Sequence, residues 1–424
     1  MSNILKSDIL GETLHIKTLP NGLRSYIIPK KGFNEKFAAL AVSFGSCDLN
    51  FEVDGEKVST PEGIAHFFEH KAFEDESLDY FNEFTKLSGS VNAYTNFNST
   101  VYYFSCTENF TECLRLLFDM VFSLYITDET IEKEKGIIEQ EISMYDDDPS
   151  WRVYFNMLQG LYENSPVKNE IAGSAESIAE IDLSMLNTIF KSFYVPCNMA
   201  LICSGDFELE EVYTLAQDKT AHINSPNTAK TYPAEPKSAP KTVVKEEMHV
   251  AKPLFCLGFK DSHGNSDVYK ITSTRILLDI IIGGSSETYN KLYNSGLIDD
   301  GFGTDYSFGS CYSTIIFSGA SKDPDAVFNE IMMSIKEIKI SGIDNTAFER
   351  IKKKHQGRYL KSFNSVSTPS EMQADFFIKD FNIFDLADAL ENTTIEHVNE
   401  RLSECFAEDN FCLSVIDELI LIPD

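Results

Sequence analysis

No stretch of the chain reaches the ~18 consecutive apolar residues that a membrane-spanning helix needs, so a membrane partner is not expected. Residues 1–8 show no basic segment followed by an apolar run, and a secretory leader is not expected either. Basic residues are scarce: 36 Lys and Arg stand against 66 Asp and Glu, a formal net charge of -30. Holding a phosphate backbone takes clustered Lys and Arg, which argues against nucleic acid as a partner and against an anionic lipid surface. The nine cysteines are an odd number and include no Cys-x-x-Cys pair. That pattern argues against a disulfide framework and for free thiols in a reducing compartment, so a cytoplasmic location is the expectation.

What is present is ample apolar material, 43% hydrophobic and 12% aromatic, enough to build a packed core. The 424 residues exceed the ~250–300 at which single cores stop growing. Between 223 and 247 the composition shifts, with Pro226, Pro233, Pro236 and Pro240 set among small and charged residues. This segment reads as an extended linker and predicts an N-terminal domain over 1–222 and a C-terminal domain over 248–424.

Alternating hydrophobicity predicts strands at 13–19 and 23–28 about a turn at Asn21-Gly22, and further strands at 37–44 and 100–105. Helical periodicity marks 61–76, 78–88, 107–124 and 128–146. The second half repeats the scheme: strands at 253–259 and 313–319, helices at 272–282, 324–341 and 345–363. Strands interleaved with helices place the chain in the α/β or α+β class, and the repeated order suggests a diverged internal duplication.

The most informative residues are His66-Phe67-Phe68-Glu69-His70. Two imidazoles four positions apart on a helix lie about 40° apart around its axis, on one face, and can bind one metal ion. Glu69 shares that face. Thr60 suits the N-cap of this helix and Pro61 its first position. A catalytic zinc needs a third protein ligand and an open position, and the helix over 128–146 offers carboxylates. Its apolar stripe runs through Ile131, Ile138, Ile142 and Tyr145, with Glu134 and Glu141 inside it, whereas Glu132 and Glu139 fall on a solvated edge. Carboxylates in an apolar stripe need a partner, and a metal ion would serve.

In these features the sequence resembles the pitrilysin/insulinase family of zinc metallopeptidases, the inverzincins, which includes mitochondrial processing peptidase and insulin-degrading enzyme. The resemblance rests on the His66–His70 motif with Glu141 farther along in EKEKGIIEQE, on Leu19-Pro20-Asn21-Gly22-Leu23, on Gly63 before the motif, and on Ser90-Val91-Asn92-Ala93-Tyr94-Thr95. Through EKGIIEQEISMYDDDP and YNKLYNSGLIDDGF it is nearest to short bacterial two-domain members of the YmfH type. The resemblance implies an α/β (α+β) fold of two homologous domains, each an antiparallel-rich sheet with helices packed on one face. It implies Zn2+ held by His66, His70 and Glu141, with Glu69 as general base and Glu134 supporting the ligands. It further implies that Asn92, Ala93, Tyr94 and Thr95 form a strand edge to which a peptide substrate adds through main-chain hydrogen bonds. Active members carry an Arg and a Tyr in the C-terminal domain that bond the substrate and the oxyanion. Here the Arg position reads Tyr293 and the Tyr position reads Asp299 or a neighbour. The expected activity is therefore that of a zinc endopeptidase on peptides or small unfolded segments, inside a chamber built by dimerisation. The expected dimer is a heterodimer with a family member that lacks the zinc motif, a homodimer being the other possibility, and a peptide-binding or maturation subunit is the alternative function.

Overall fold

The computed structural model describes residues 2–261 and 267–419. Its strands are β1 (Ser2–Ser7), β2 (Glu12–Thr18), β3 (Arg24–Pro29), β4 (Lys36–Val42), β5 (Asn50–Val53), β6 (Glu56–Ser59), β7 (Gly89–Thr95), β8 (Thr100–Cys106), β9 (Met199–Gly205), β10 (Thr228–Lys230), β11 (Val243–Met248), β12 (Leu254–Lys260), β13 (Gly303–Phe308), β14 (Ser313–Ala320) and β15 (Phe411–Glu418). The helices are α1 (Ile64–Lys71), α2 (Tyr80–Lys86), α3 (Phe110–Phe122), α4 (Asp128–Asp146), α5 (Pro149–Leu161), α6 (Ala175–Ala179), α7 (Leu183–Phe193), α8 (Leu209–Thr220), α9 (Val268–Ile282), α10 (Glu287–Asn294), α11 (Pro324–Ser341), α12 (Asn345–Ser362), α13 (Ser367–Phe377), α14 (Ile383–Asn392) and α15 (Ile395–Cys405). No described helix is long and apolar enough to cross a membrane.

The first compact unit holds a sheet ordered β1-β2-β3-β9-β4-β8-β7, and the second a sheet ordered β11-β15-β12-β14-β13. In the first, β3 runs parallel to β9 and the pairs β9·β4, β4·β8 and β8·β7 are antiparallel. The second repeats this: β11 runs parallel to β15, and β15·β12, β12·β14 and β14·β13 are antiparallel. Five strands in the same order and sense in both units are the structural record of the duplication, which side-chain divergence hides.

Packing divides the chain differently from a single cut at 223–247. One unit gathers the chain up to Ile142, Glu170–Tyr232 and Tyr359–Asp385; the other gathers Ser143–Asn169, Pro233–Arg358 and the chain from Leu386. The passage at Tyr232 lies within the proline-rich segment, which itself contributes β10 and β11. The other crossings exchange helices: α5 packs on β12 and β15, and α13 on β9 and β4, the equivalent central strands. Such an exchange leaves no mark on local periodicity, because an amphipathic helix does not encode which sheet its apolar face will meet.

In the first sheet Tyr102 and Tyr103 are consecutive on β8 and so point to opposite faces. Tyr102 is buried against Tyr194 and Phe73 on the side of α1, whereas Tyr103 faces Glu371 of α13. The α1 face is the one that carries the site.

Candidate metal centre

Eight residues are too few for a helix to persist in water by itself, so α1 depends on its packing. Phe67 and Phe68 are fully buried, a contribution of about 1.5–3 kcal/mol each, and Phe68 lies on Tyr194 with ring centroids 4.2 Å apart. The helix starts later than Thr60 and Pro61 suggest. Thr60 turns its hydroxyl to the Leu49 carbonyl (3.2 Å), and the N-cap is Gly63 at φ 85°. A Cβ at Gly63 would stand 2.3 Å from the Ala172 carbonyl oxygen, so both conformation and space require glycine here. With the phenylalanines anchored, His66, Glu69 and His70 turn toward α4 and the end of β7.

Helix α4 spans the residues that its periodicity marks. Ile131, Glu134, Ile138 and Ile142 are buried, Glu141 is half-buried, and Glu132 and Glu139 are exposed. Lys71, fully buried, joins α1 to the start of α4 by bonding Glu74 and the Thr130 carbonyl. The two helices bring together Nε2 of His66 and Oε1 of Glu141 at 3.7 Å, and Nε2 of His70 and Oε2 of Glu141 at 3.5 Å. One donor atom from each of the three lies within 4.8 Å of the others. A tetrahedral zinc with bonds of ~2.0–2.1 Å separates its ligand atoms by roughly 3.3 Å, so the donor set fits one ion with little adjustment.

Glu134 does not join this triangle. It takes the Nδ1 side of His70 at 2.9 Å, which places the ring's proton there and leaves the Nε2 lone pair aimed at Glu141's carboxylate. Burial acts to lower the His70 pKa, but the hydrogen bond and charge of Glu134 outweigh it and raise it. Burial works the other way on Glu134, yet its bond to His70 and the nearby cations hold it below the ordinary range. His66 has no such support: burial, then the charge of His70, push it down to about 4, so it stays a neutral imidazole suited to metal binding. Burial also raises Glu69, the direction a proton acceptor needs to approach neutral pH.

Strand β7 is the sheet's edge, paired among the described residues with β8 alone. The Ala93 N–H turns to its neighbour's side-chain oxygen, Asn92 Oδ1 (2.9 Å), a contact within the strand itself. Alternation sends Asn92 and Tyr94 to one face, and Ala93 and Thr95 to the face of α1. There Thr95 donates its hydroxyl to Glu69 Oε2 at 2.6 Å, a contact that sequence reasoning misses. A residue 26 positions away announces no such bond, and the only available signal is the pleat, which puts Thr95 on the same side as buried Val91.

In the second unit the helices equivalent in order to α1 and α4 are α9 and α12. Asp279 of α9 accepts there from Lys354 Nζ, 2.9 Å from each carboxylate oxygen, and His355 Nε2 stands 2.8 Å from its Oδ2. Burial would raise this carboxyl, but the His355 and Lys354 bonds carry it down to about 2. An ammonium thus does between α9 and α12 what a metal can do between α1 and α4. Tyr293 is exposed at the end of α10, and Asp299 pairs with Lys252 at 2.9 Å.

The family description "Insulinase (Peptidase family M16)" matches residues 55–175, and "Peptidase M16 inactive domain" matches residues 180–354. The chain is 35% identical over 410 residues to the uncharacterized zinc protease YmfH of Bacillus subtilis (strain 168), covering 94% of this chain and 95% of that one. A crystal structure from Alicyclobacillus acidocaldarius, described as M16-like, superposes with a TM-score of 0.94 at 33% identity over 98% of this chain and 100% of the other. Pitrilysin shares the fold, with a TM-score of 0.77 at 16% identity, over 98% of this chain and 46% of its own. The matches span both sheets and the His66–Glu141 segment, and the chain belongs to the insulinase family of peptidases, M16.

Proposed function

We propose that this chain is the metal-bearing subunit of a zinc endopeptidase that cleaves peptides or small unfolded segments in the cytoplasm. The observation that carries the reading is the convergence of His66, His70 and Glu141 within 4.8 Å of one another, with Glu69 beside them and tied to an open strand edge. Zinc held by those three side chains would acidify a water molecule and polarise the scissile carbonyl. Glu69 accepts the water's proton and returns it to the departing amine, and Glu134 keeps His70 oriented. Residues 92–95 of β7 hold the peptide main chain in register alongside.

The predicted metal analysis is direct: one zinc per chain in the parent, and loss of that zinc in His70→Ala and in Glu141→Ala with the fold retained. Glu134→Ala, acting through His70, weakens metal affinity by ~10- to 100-fold and no more. Unchanged zinc in either of the first two variants, by elemental analysis against protein concentration, sinks the assignment.

For the edge, peptides of unrelated sequence and similar length compete with one another, since the contacts are mainly to the main chain. Ala93→Pro removes the outward N–H and weakens peptide binding. Strict dependence on one sequence in a scrambled-peptide competition contradicts the edge reading.

Pairing completes the proposal. The chain corresponds to 46% of pitrilysin, which supports a dimer as the working chamber. Because Tyr293 and Asp299 stand where an Arg and a Tyr are expected, the favoured partner is a different family member that carries that pair and lacks the zinc motif. The same two residues favour the second reading, a peptide-binding or maturation subunit with little activity of its own. Peptide turnover by the chain, alone and with candidate partners, separates the two.

A further inference from the structure

The contact between Thr95 and Glu69 gives one residue two separable tasks. Thr95 is the last residue of β7, paired directly with Thr100 across the hairpin, so its main chain belongs to the open edge. Its hydroxyl leaves the edge altogether and reaches Glu69 Oε2 at 2.6 Å.

The direction of that bond follows from the carboxylate, which when ionised can only accept, so the hydroxyl donates. Thr100 Oγ1 is fully buried and donates to the Phe44 carbonyl at 3.0 Å, which uses its only proton. Thr95 Oγ1 lies 3.3 Å from Thr100 Oγ1 and 2.6 Å from Glu69 Oε2, so the carboxylate is the nearer acceptor for its proton.

The donor is also held in place. Asn96 Oδ1 accepts the N–H groups of Asn98 and Ser99, both at 2.8 Å, closing the turn after Thr95. The turn's carbonyls at Asn96 and Phe97 accept from Ser46 and Cys47 at 3.0 and 3.1 Å. Gly45 permits this approach, because a Cβ there would stand 2.5 Å from the Asn98 and Ser99 nitrogens.

We propose that Thr95 is the positioning residue of Glu69, its hydroxyl aiming the base while its main chain serves the peptide edge, an inference that rests on the peptidase reading above. A peptide seated on β7 is thereby set against the base by the same residue that orients it. Seating of the peptide main chain and orientation of the base therefore meet at one residue but are separable by substitution.

Thr95→Val keeps the β-branched shape and the edge main chain and deletes the hydroxyl; Thr95→Ser keeps the hydroxyl. In zinc-free crystals, which need no activity, Thr95→Val shows the Glu69 carboxylate displaced or spread over rotamers, and Thr95→Ser shows it where the parent has it. In the hydrolysing complex, Thr95→Val lowers kcat by ~10- to 100-fold with KM within about 2-fold, and Thr95→Ser restores most of kcat. Glu69→Gln is run beside them. A single parental position for Glu69 in Thr95→Val crystals overturns the inference. So does a rise in KM at unchanged kcat, or full kcat in Thr95→Val while Glu69→Gln is dead. Parental turnover in Glu69→Gln overturns it differently, by removing Glu69 as the base and with it the peptidase reading.

Discussion

Glu69→Gln leaves zinc content and peptide affinity at parental levels and lowers the rate of hydrolysis by at least ~10². The amide has the size of the carboxylate and its oxygen can still accept the Thr95 hydroxyl, so the hydrogen bond that holds the side chain survives. What is lost is a site able to take a proton. Burial raises the Glu69 carboxyl, bringing it nearer the proton it must accept, and an amide has no such basicity at any working pH. Single-turnover rates with saturating peptide make the comparison cleanest, because they exclude product release. A parental rate in that assay shows that another group is the base.

The purified chain, assayed without a partner, hydrolyses peptide ~10²- to 10³-fold more slowly than when mixed with a family member that supplies the missing Arg and Tyr. That range is the usual cost of losing one oxyanion donor. Tyr293 is exposed and Asp299, besides being an acceptor, is paired with Lys252, so neither residue replaces the expected pair. Arg→Ala in the partner returns the mixture to the slow rate. Full activity from the homodimer refutes this account, and would direct attention to other donors, among them Tyr306, Arg275 or Tyr293 itself.

Much of the site was legible because metal chemistry demands side chains at helical spacing. The bounds of α4, its two inward glutamates and its two exposed ones follow from a 3.6-residue period that needs no tertiary information. The start of α1 does not follow from local rules. Thr60 and Pro61 satisfy the preferences for a helix entry, but the carbonyl of Ala172 occupies the space at Gly63 and fixes where the helix begins. The role of Thr95 beside Glu69 was hidden for a related reason: a strand pattern says which face a side chain takes and nothing about what waits there. The recurrence of secondary structure between halves was visible, and the five-strand topology they share makes it concrete.

The exchange of α5 and α13 sets a timetable for synthesis. The first unit lacks residues 359–385 until long after its sheet has left the ribosome. At ~5–20 residues per second, the roughly 150 residues after Tyr232 take about 8–30 s to appear, and through that time β4 and β9 wait for Phe376, Phe377 and Ala374. Meanwhile α5, made early, has no β12 or β15 to cover. Nascent chains halted in the 223–247 segment therefore carry both a bare strand face and an unclaimed apolar helix, substrates for chaperones rather than a finished half-protein.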